Sequence, residues 1–140
     1  MNFLLDTNAV SEWVKPRPNP GLIRWMESVD EDRTFISVIS LAELRYGIER
    51  MPAGHRRRRL DEWLHRELPS RFESRTLPID DSVADAWGKT VSRSEAVGRP
   101  IGVMDAFLAA TAETYDLTLV TRNVSDFPLL KKILNPWIET

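Results

Sequence analysis

Asp6, Glu43, Asp105, Asn123 and Asp126 are the residues of this 140-residue chain whose types and settings suit chemistry. Four are carboxylates and one is an amide, so together they offer oxygen donors and nothing softer. The chain has no cysteine and only two histidines, His55 and His65, which share one charged stretch. Disulfides, thiolate zinc sites and cysteine nucleophiles are thereby excluded, and a histidine triad or multi-histidine metal site is hard to build. Metal chemistry here has to use oxygen ligands, which suit Mg²⁺, with Mn²⁺ as the alternative.

Each of these residues also has a purely structural reading. Asp6 follows a short apolar run, where it can cap a helix or join a ligand site at the carboxyl end of a strand. Glu43 closes an S-x-x-E capping box opened by Ser40, while lying one turn beyond a strand end. Asp105 sits in Val103-Met104-Asp105-Ala106-Phe107-Leu108-Ala109-Ala110, a helix apolar on almost every face. An unpaired carboxylate there costs several kcal/mol, against the roughly 0.3–1 kcal/mol that a first-turn acid gains from the helix dipole. That imbalance calls for a dedicated partner, a basic side chain or, as favoured here, a metal ion. Asn123 and Asp126 follow a strand and can be turn and capping residues. Jointly, acids at several strand ends or first helical turns are what a carboxylate-lined Mg²⁺ pocket requires.

The elements that must position them can be read along the chain. Phe3-Leu4-Leu5 predicts a buried strand leading into a helix at Asp6-Thr7-Asn8. Pro20 suits the first turn of a helix carrying Leu22, Ile23, Trp25 and Met26. Thr34 to Val38 is a β-branched and aromatic strand, followed by a helix from Ser40 to Ile48. A very polar helix follows, from about Arg56 to Leu68. Arg75 to Ile79 is a third strand, and Asp80 or Asp81 caps a helix with Val83, Ala84, Trp87 and Val91 on one face. After Gly98-Arg99-Pro100 come a helix from Val103 to about Tyr115 and the clearest strand, Leu117 to Thr121. Strands alternating with helices imply a parallel sheet covered by helices on both faces.

The apolar fraction of 42% and charged fraction of 29% are ordinary for a soluble globular domain. The amino terminus lacks the basic and apolar regions of a signal peptide, and no run is long enough to span a membrane, so a cytoplasmic protein is expected. A net charge of −2 does not advertise nucleic-acid binding, but positive charge is clustered at His55-Arg56-Arg57-Arg58-Arg59. That run is either a solvated helix face or a phosphate-steering edge beside an acidic pocket. Tyr46 and Trp63 are either core residues or base-stacking platforms.

The segments Leu4-Leu5-Asp6-Thr7-Asn8, Ile39-Ser40-Leu41-Ala42-Glu43-Leu44, Asp105-Ala106-Phe107-Leu108-Ala109-Ala110-Thr111-Ala112 and Leu119-Val120-Thr121-Arg122-Asn123, in this order, resemble the PIN-domain family. More narrowly, the chain looks like the VapC-type toxins of toxin–antitoxin pairs, close to the FitB-like branch, which its ending Asn135-Pro136-Trp137 also resembles. The resemblance covers essentially the whole chain. It implies one domain over residues 1–140, a three-layer α/β/α fold with a central parallel sheet, and an Mg²⁺-dependent endoribonuclease acting on RNA. It further implies inhibition by a small cognate antitoxin, and homodimerisation. Asp6, Glu43 and Asp105 match the family's acidic core, with Asp6 and Asp105 as metal ligands. Where the family often has a fourth acid, this chain has Asn123. Either Asp126 substitutes, or Asn123 coordinates through its carbonyl, or the site holds one metal. Glu43 would position a water or act as base, and Thr7 and Thr121 would support the carboxylates. Apolar residues on the Leu41–Ile48 and Leu60–Leu68 helices would offer a groove for the antitoxin.

Other classes fit less well. A phosphoacceptor signalling domain wants an acidic pair after the first strand, and a haloacid-dehalogenase-type phosphatase wants D-x-D, whereas Asp6-Thr7-Asn8 has one acid. A non-catalytic binding or regulatory module acting through the antitoxin complex is the remaining alternative.

Overall fold

The run Phe3-Leu4-Leu5 becomes strand β1 (Phe3–Leu5), the centre of the sheet, because all three side chains find apolar cover. Phe3 and Leu5 enter one core cluster and Leu4 the other, on the opposite face. A strand buried on both sides reads as a continuous apolar run rather than an alternation. A computed structural model describes residues 1–138.

From β1 the chain runs through helices α1 (Thr7–Trp13) and α2 (Pro20–Ser28) to strand β2 (Thr34–Ser37). Helix α3 (Val38–Glu49) leaves β2 with no intervening loop. A long helical segment follows: α4 (His55–Glu62), a π-helical turn (Trp63–Glu67) and α5 (Leu68–Arg71). Strand β3 (Thr76–Leu77), the helices α6 (Asp81–Ala96) and α7 (Val103–Thr114), which pack on each other, and strands β4 (Thr118–Val120) and β5 (Ile133–Leu134) complete the described chain. The strands lie in the order β3-β2-β1-β4-β5 and every pair is parallel. The expected central sheet flanked on both faces is therefore present.

Two apolar layers enclose it. On one face Phe3, Leu5, Ile36 and Val120 meet Ala9, Val10, Leu22, Ile48, Leu64, Leu68 and Phe72. On the other, Leu4 and Leu119 meet Leu108, Ala109 and Ala112 of α7, which α6 backs. Helix starts follow local chemistry: Asn19 caps α2 ahead of Pro20, and the Asp80 carboxylate accepts from Val83 N at 2.9 Å to cap α6.

Two expectations need correction. The capping box at Ser40 and Glu43 does not form, because helix α3 begins three residues earlier, with Ser37 as its cap accepting from Ile39 N at 3.0 Å. Ser40 and Glu43 thus lie inside the helix, and Glu43 has no capping duty. Helix α7 is not buried throughout: burial begins at Ala106, and its first turn is open, with Val103 62% exposed.

The chain's end is tied to α2. A Cβ built at Gly21 would lie 2.4 Å from the Pro136 carbonyl oxygen, a contact that backbone cannot easily yield. Gly21→Ala is expected to cost about 1–3 kcal/mol, as overpacking does, and a chemical-denaturation midpoint equal to wild type would contradict this close approach.

Candidate active site at the carboxyl edge of the sheet

The chain moves from β1 outward to β2 and β3, then returns to the other side of β1 for β4. The strand order therefore reverses between β1 and β4, and in open parallel sheets the crevice beyond such a switch point receives ligands. Asp6 and Thr121 are the first residues past those two strands. Their backbones are locked together, since Asp6 N donates to Val120 O at 2.9 Å.

Asp6 is buried, and both of its carboxylate oxygens accept hydrogen bonds. Its Oδ1 accepts from Thr7 N at 2.6 Å, and its Oδ2 accepts from Thr121 Oγ1 at 2.7 Å and Asn8 Nδ2 at 3.3 Å. Capping and site roles coincide here, because the same carboxylate starts α1 and faces the cleft. Burial holds its pKa above the ordinary carboxyl value; hydrogen bonds from Thr121 and Thr7 oppose that, and the charges of Glu43 and Asp126 add to it.

Thr121, with no exposed surface, is the hub of this half of the site. Besides donating to Asp6, its hydroxyl accepts from Asn8 Nδ2 at 3.1 Å and Asn123 N at 3.0 Å. Asn8 also accepts from Arg122 N at 3.3 Å through its Oδ1. Thr7 serves the other half: its hydroxyl donates to Glu43 Oε1 at 2.5 Å and lies 2.9 Å from the buried Ser40 Oγ. The strand-to-helix junction Asp6-Thr7-Asn8 thus connects β4 with α3.

Asp105 stands at the third position of α7. Its pKa is pushed up to about 6, first by burial and then by the charges of Asp6, Asp126 and Glu43. No basic side chain among the described residues pairs with it, so the basic-partner option for this acid is not taken. The short turn Val124–Asp126 brings Asn123 and Asp126 to the same place, with Asp126 N donating to Asn123 O at 3.0 Å.

All five residues named from the sequence line one cleft of about 350 Å³. A larger, mostly apolar cavity of about 530 Å³ lies behind α7 and includes none of them. Four carboxylates from four separated segments therefore share one space, and the charges of Glu43 and Asp126 help raise the proton affinity of Asp6 and Asp105. Among the described residues no three His, Cys, Asp or Glu side chains close into a metal cage. A cation here would take one or two carboxylates and complete its shell with water, which is the habit of Mg²⁺ rather than Zn²⁺.

The basic run does not join them. Arg56, Arg58 and Arg59 are exposed on α4, and Arg57 is turned to Met51 O and Glu49. None lines the cleft. Trp63 packs against the core, whereas Tyr46 is 63% exposed under Arg50. What the sequence did not single out is the cleft's own positive side, Lys15 and Arg122, with the buried Glu12 between α1 and the following loop. Glu12 accepts from Lys15 Nζ at 2.9 Å and from Asn19 N at 2.8 Å, which keep its carboxyl below the ordinary range. The one available signal for Arg122 was its place between Thr121 and Asn123.

A parallel sheet thus switches direction over a cleft of converging carboxylates. The PIN domain family model matches residues 3–131, and the chain belongs to that family. Toxin FitB of Neisseria gonorrhoeae is 34% identical over 136 residues, spanning 96% of this chain and 98% of that protein. VapC ribonuclease Y4jK of Sinorhizobium fredii is 33% identical over 136 residues, spanning 96% and 97% respectively. Among solved structures, FitAB bound to the IR36 DNA fragment superposes with a TM-score of 0.91 at 32% identity, over 99% of this chain and 97% of that one. The structure of FitAcB from Neisseria gonorrhoeae gives a TM-score of 0.89 at 34% identity.

Proposed function

We propose that this chain is an Mg²⁺-dependent endoribonuclease, the toxin of a toxin–antitoxin pair, whose catalytic centre is the cleft at Asp6, Glu43 and Asp105. The carrying observation is the convergence of four carboxylates at the switch point with no cation among the described residues to balance Asp105. Support comes from the relatives: proteins named as a toxin and a VapC ribonuclease share a third of its residues over almost the full length.

The donor set fits a hard divalent cation. Asp6 and Asp105 would hold it, Asp6 through the oxygen capacity that its hydrogen bonds leave free. When bound, Mg²⁺ supplies Lewis-acid polarisation of the phosphoryl oxygens and acidifies a water. Glu43, oriented by the Thr7 hydroxyl, accepts the proton of the attacking water. Thr121 and Asn8 fix the rotamer of Asp6, so that little reorganisation accompanies substrate binding. Asn123 and Asp126 share the fourth position: Asp126 contributes charge to Asp6 and Asp105, and Asn123 lines the cleft with an amide. A small antitoxin is the partner, in keeping with the FitAB and FitAcB assemblies of its structural relatives.

Incubation of the purified chain with a labelled single-stranded RNA tests this reading. Cleavage is expected in Mg²⁺, none in excess EDTA, and none from Asp6→Ala. Cleavage that persists in EDTA would contradict metal dependence. RNA binding without cleavage under any divalent cation would make the chain a binding module.

A further inference from the structure

The cleft is an awkward receptor for RNA, because the phosphate backbone must approach Asp6, Glu43, Asp105 and Asp126, beside a fifth carboxylate, Glu12, that is paired with Lys15. Bound cation offsets part of this repulsion, and the remainder falls to the basic side chains that line the cleft, Lys15 and Arg122. These two are not equivalent. Lys15 Nζ is committed to Glu12 Oε1 at 2.9 Å, and Glu12 is itself buried and held by Asn19 N. Arg122 has no ion pair and no side-chain hydrogen bond among the described residues; only its charge is felt at Glu12.

The backbone of Arg122, by contrast, is held on both sides. Its N–H donates to Asn8 Oδ1 at 3.3 Å and its carbonyl accepts from Asn135 Nδ2 at 3.2 Å. Asn8 is the residue that hydrogen-bonds Asp6 and Thr121, and Asn135 also accepts from Trp137 N at 3.0 Å, next to an indole packed on the core. A fixed Cα with an uncommitted guanidinium at the mouth of an acidic cleft suits one task. A guanidinium grips a phosphate through two parallel N–H donors, and its fixed origin sets the distance from that phosphate to Asp6.

We propose that Arg122 anchors an RNA backbone phosphate neighbouring the scissile one, and that the Asn8–Asn135 clamp sets the register of the strand over the carboxylates. This rests on the ribonuclease reading of the same cleft. Arg122 binds substrate, and Asn135 is a positioning residue acting through it.

Steady-state cleavage of a short single-stranded RNA in Mg²⁺, repeated over a range of salt concentrations, tests the assignment. Arg122→Gln is expected to raise KM about tenfold with kcat within about twofold of wild type, and to lower the salt slope of substrate affinity by about one. Arg122→Lys is expected to restore the slope but only part of the KM, because the charge returns without the bidentate grip. Asn135→Ala keeps the charge, so KM rises severalfold at unchanged slope, with cleavage spread over adjacent bonds. Wild-type KM and slope in Arg122→Gln, in an enzyme that cleaves normally, would overturn the anchor. A loss confined to kcat would overturn it too, by placing Arg122 at the reaction rather than in binding. Absence of cleavage by wild type itself would instead overturn the ribonuclease reading, and is told apart by that control.

Discussion

Replacing Asp105 by Asn is expected to lower Mg²⁺-dependent RNA cleavage by about 10²–10⁴-fold, the range that proton transfer contributes and that is forfeited when the ion activating the water is no longer held, and to raise the melting temperature of the metal-free protein. The two effects share one cause. Asp105 is partly buried opposite Asp6, Asp126 and Glu43, and its pKa is pushed from 3.8 up to about 6. The folded state therefore binds a proton there more tightly than the unfolded chain. Linkage fixes the sign: with more protons on the native state, stability falls as pH rises from the ordinary carboxyl range through about 6. The neutral amide removes that penalty. Asp105 is partly exposed, so the benefit is discounted for solvent screening to an increase of about 2–4 °C at pH 7.5. The gap should shrink to nothing below about pH 3, where the carboxyl is protonated in the folded and unfolded chains alike. Thermal scans in EDTA at several pH values check this, and a variant melting below wild type at pH 7.5 would show that Asp105 has a stabilising partner.

Thr121→Val is expected to damage both fold and site. The hydroxyl has no exposed surface and serves three groups at once: it donates to Asp6 Oδ2 and accepts from Asn8 Nδ2 and Asn123 N. Valine matches its shape but leaves those partners unsatisfied. The expected cost is about 1–3 kcal/mol of stability, the usual penalty of an unsatisfied buried polar group. Divalent-ion affinity should fall about 10–100-fold, as when a supporting hydrogen bond to a ligand is lost. Asp6 would also be held still further above the ordinary carboxyl range, because the largest of the interactions opposing its burial is gone. Urea denaturation and calorimetric titration with Mn²⁺ measure the two effects separately; Thr121→Ser, which keeps the hydroxyl, should recover most of both.

Much of this site was legible in the chain because its anchors are local. Phe3-Leu4-Leu5 and Leu119-Val120 are apolar runs that can only be buried strands, so the residues just after them fall at the sheet edge. The surprise of an acid in the apolar α7 segment marked Asp105 without knowledge of its neighbours. Other features depend on where elements meet. Ser40 and Glu43 have the spacing of a capping box, yet α3 grows straight out of β2, so Ser37 caps and Ser40 turns to Thr7 instead. Strand β5 is two residues long and carries no alternation; it exists because Leu119 N and Thr121 N need acceptors, found at Lys132 O and Leu134 O. The run Arg56–Arg59 drew attention by density alone, whereas the cleft is lined by two isolated cations far apart in sequence. Nothing local to Lys15 or Arg122 announces that they converge, because only the reversal of strand order between β1 and β4 brings them together.

The most direct measurement of whether the carboxylate cleft is the metal centre of a ribonuclease is Mn²⁺ binding followed by electron paramagnetic resonance, alongside RNA cleavage in the same samples. Wild type is expected to sequester Mn²⁺ and to cleave in proportion to the ion bound. Asp6→Asn and Asp105→Asn are each expected to lose both properties while remaining folded by circular dichroism. Undiminished Mn²⁺ binding or cleavage in the folded Asp6→Asn, Asp105→Asn double variant would contradict the assignment of the site.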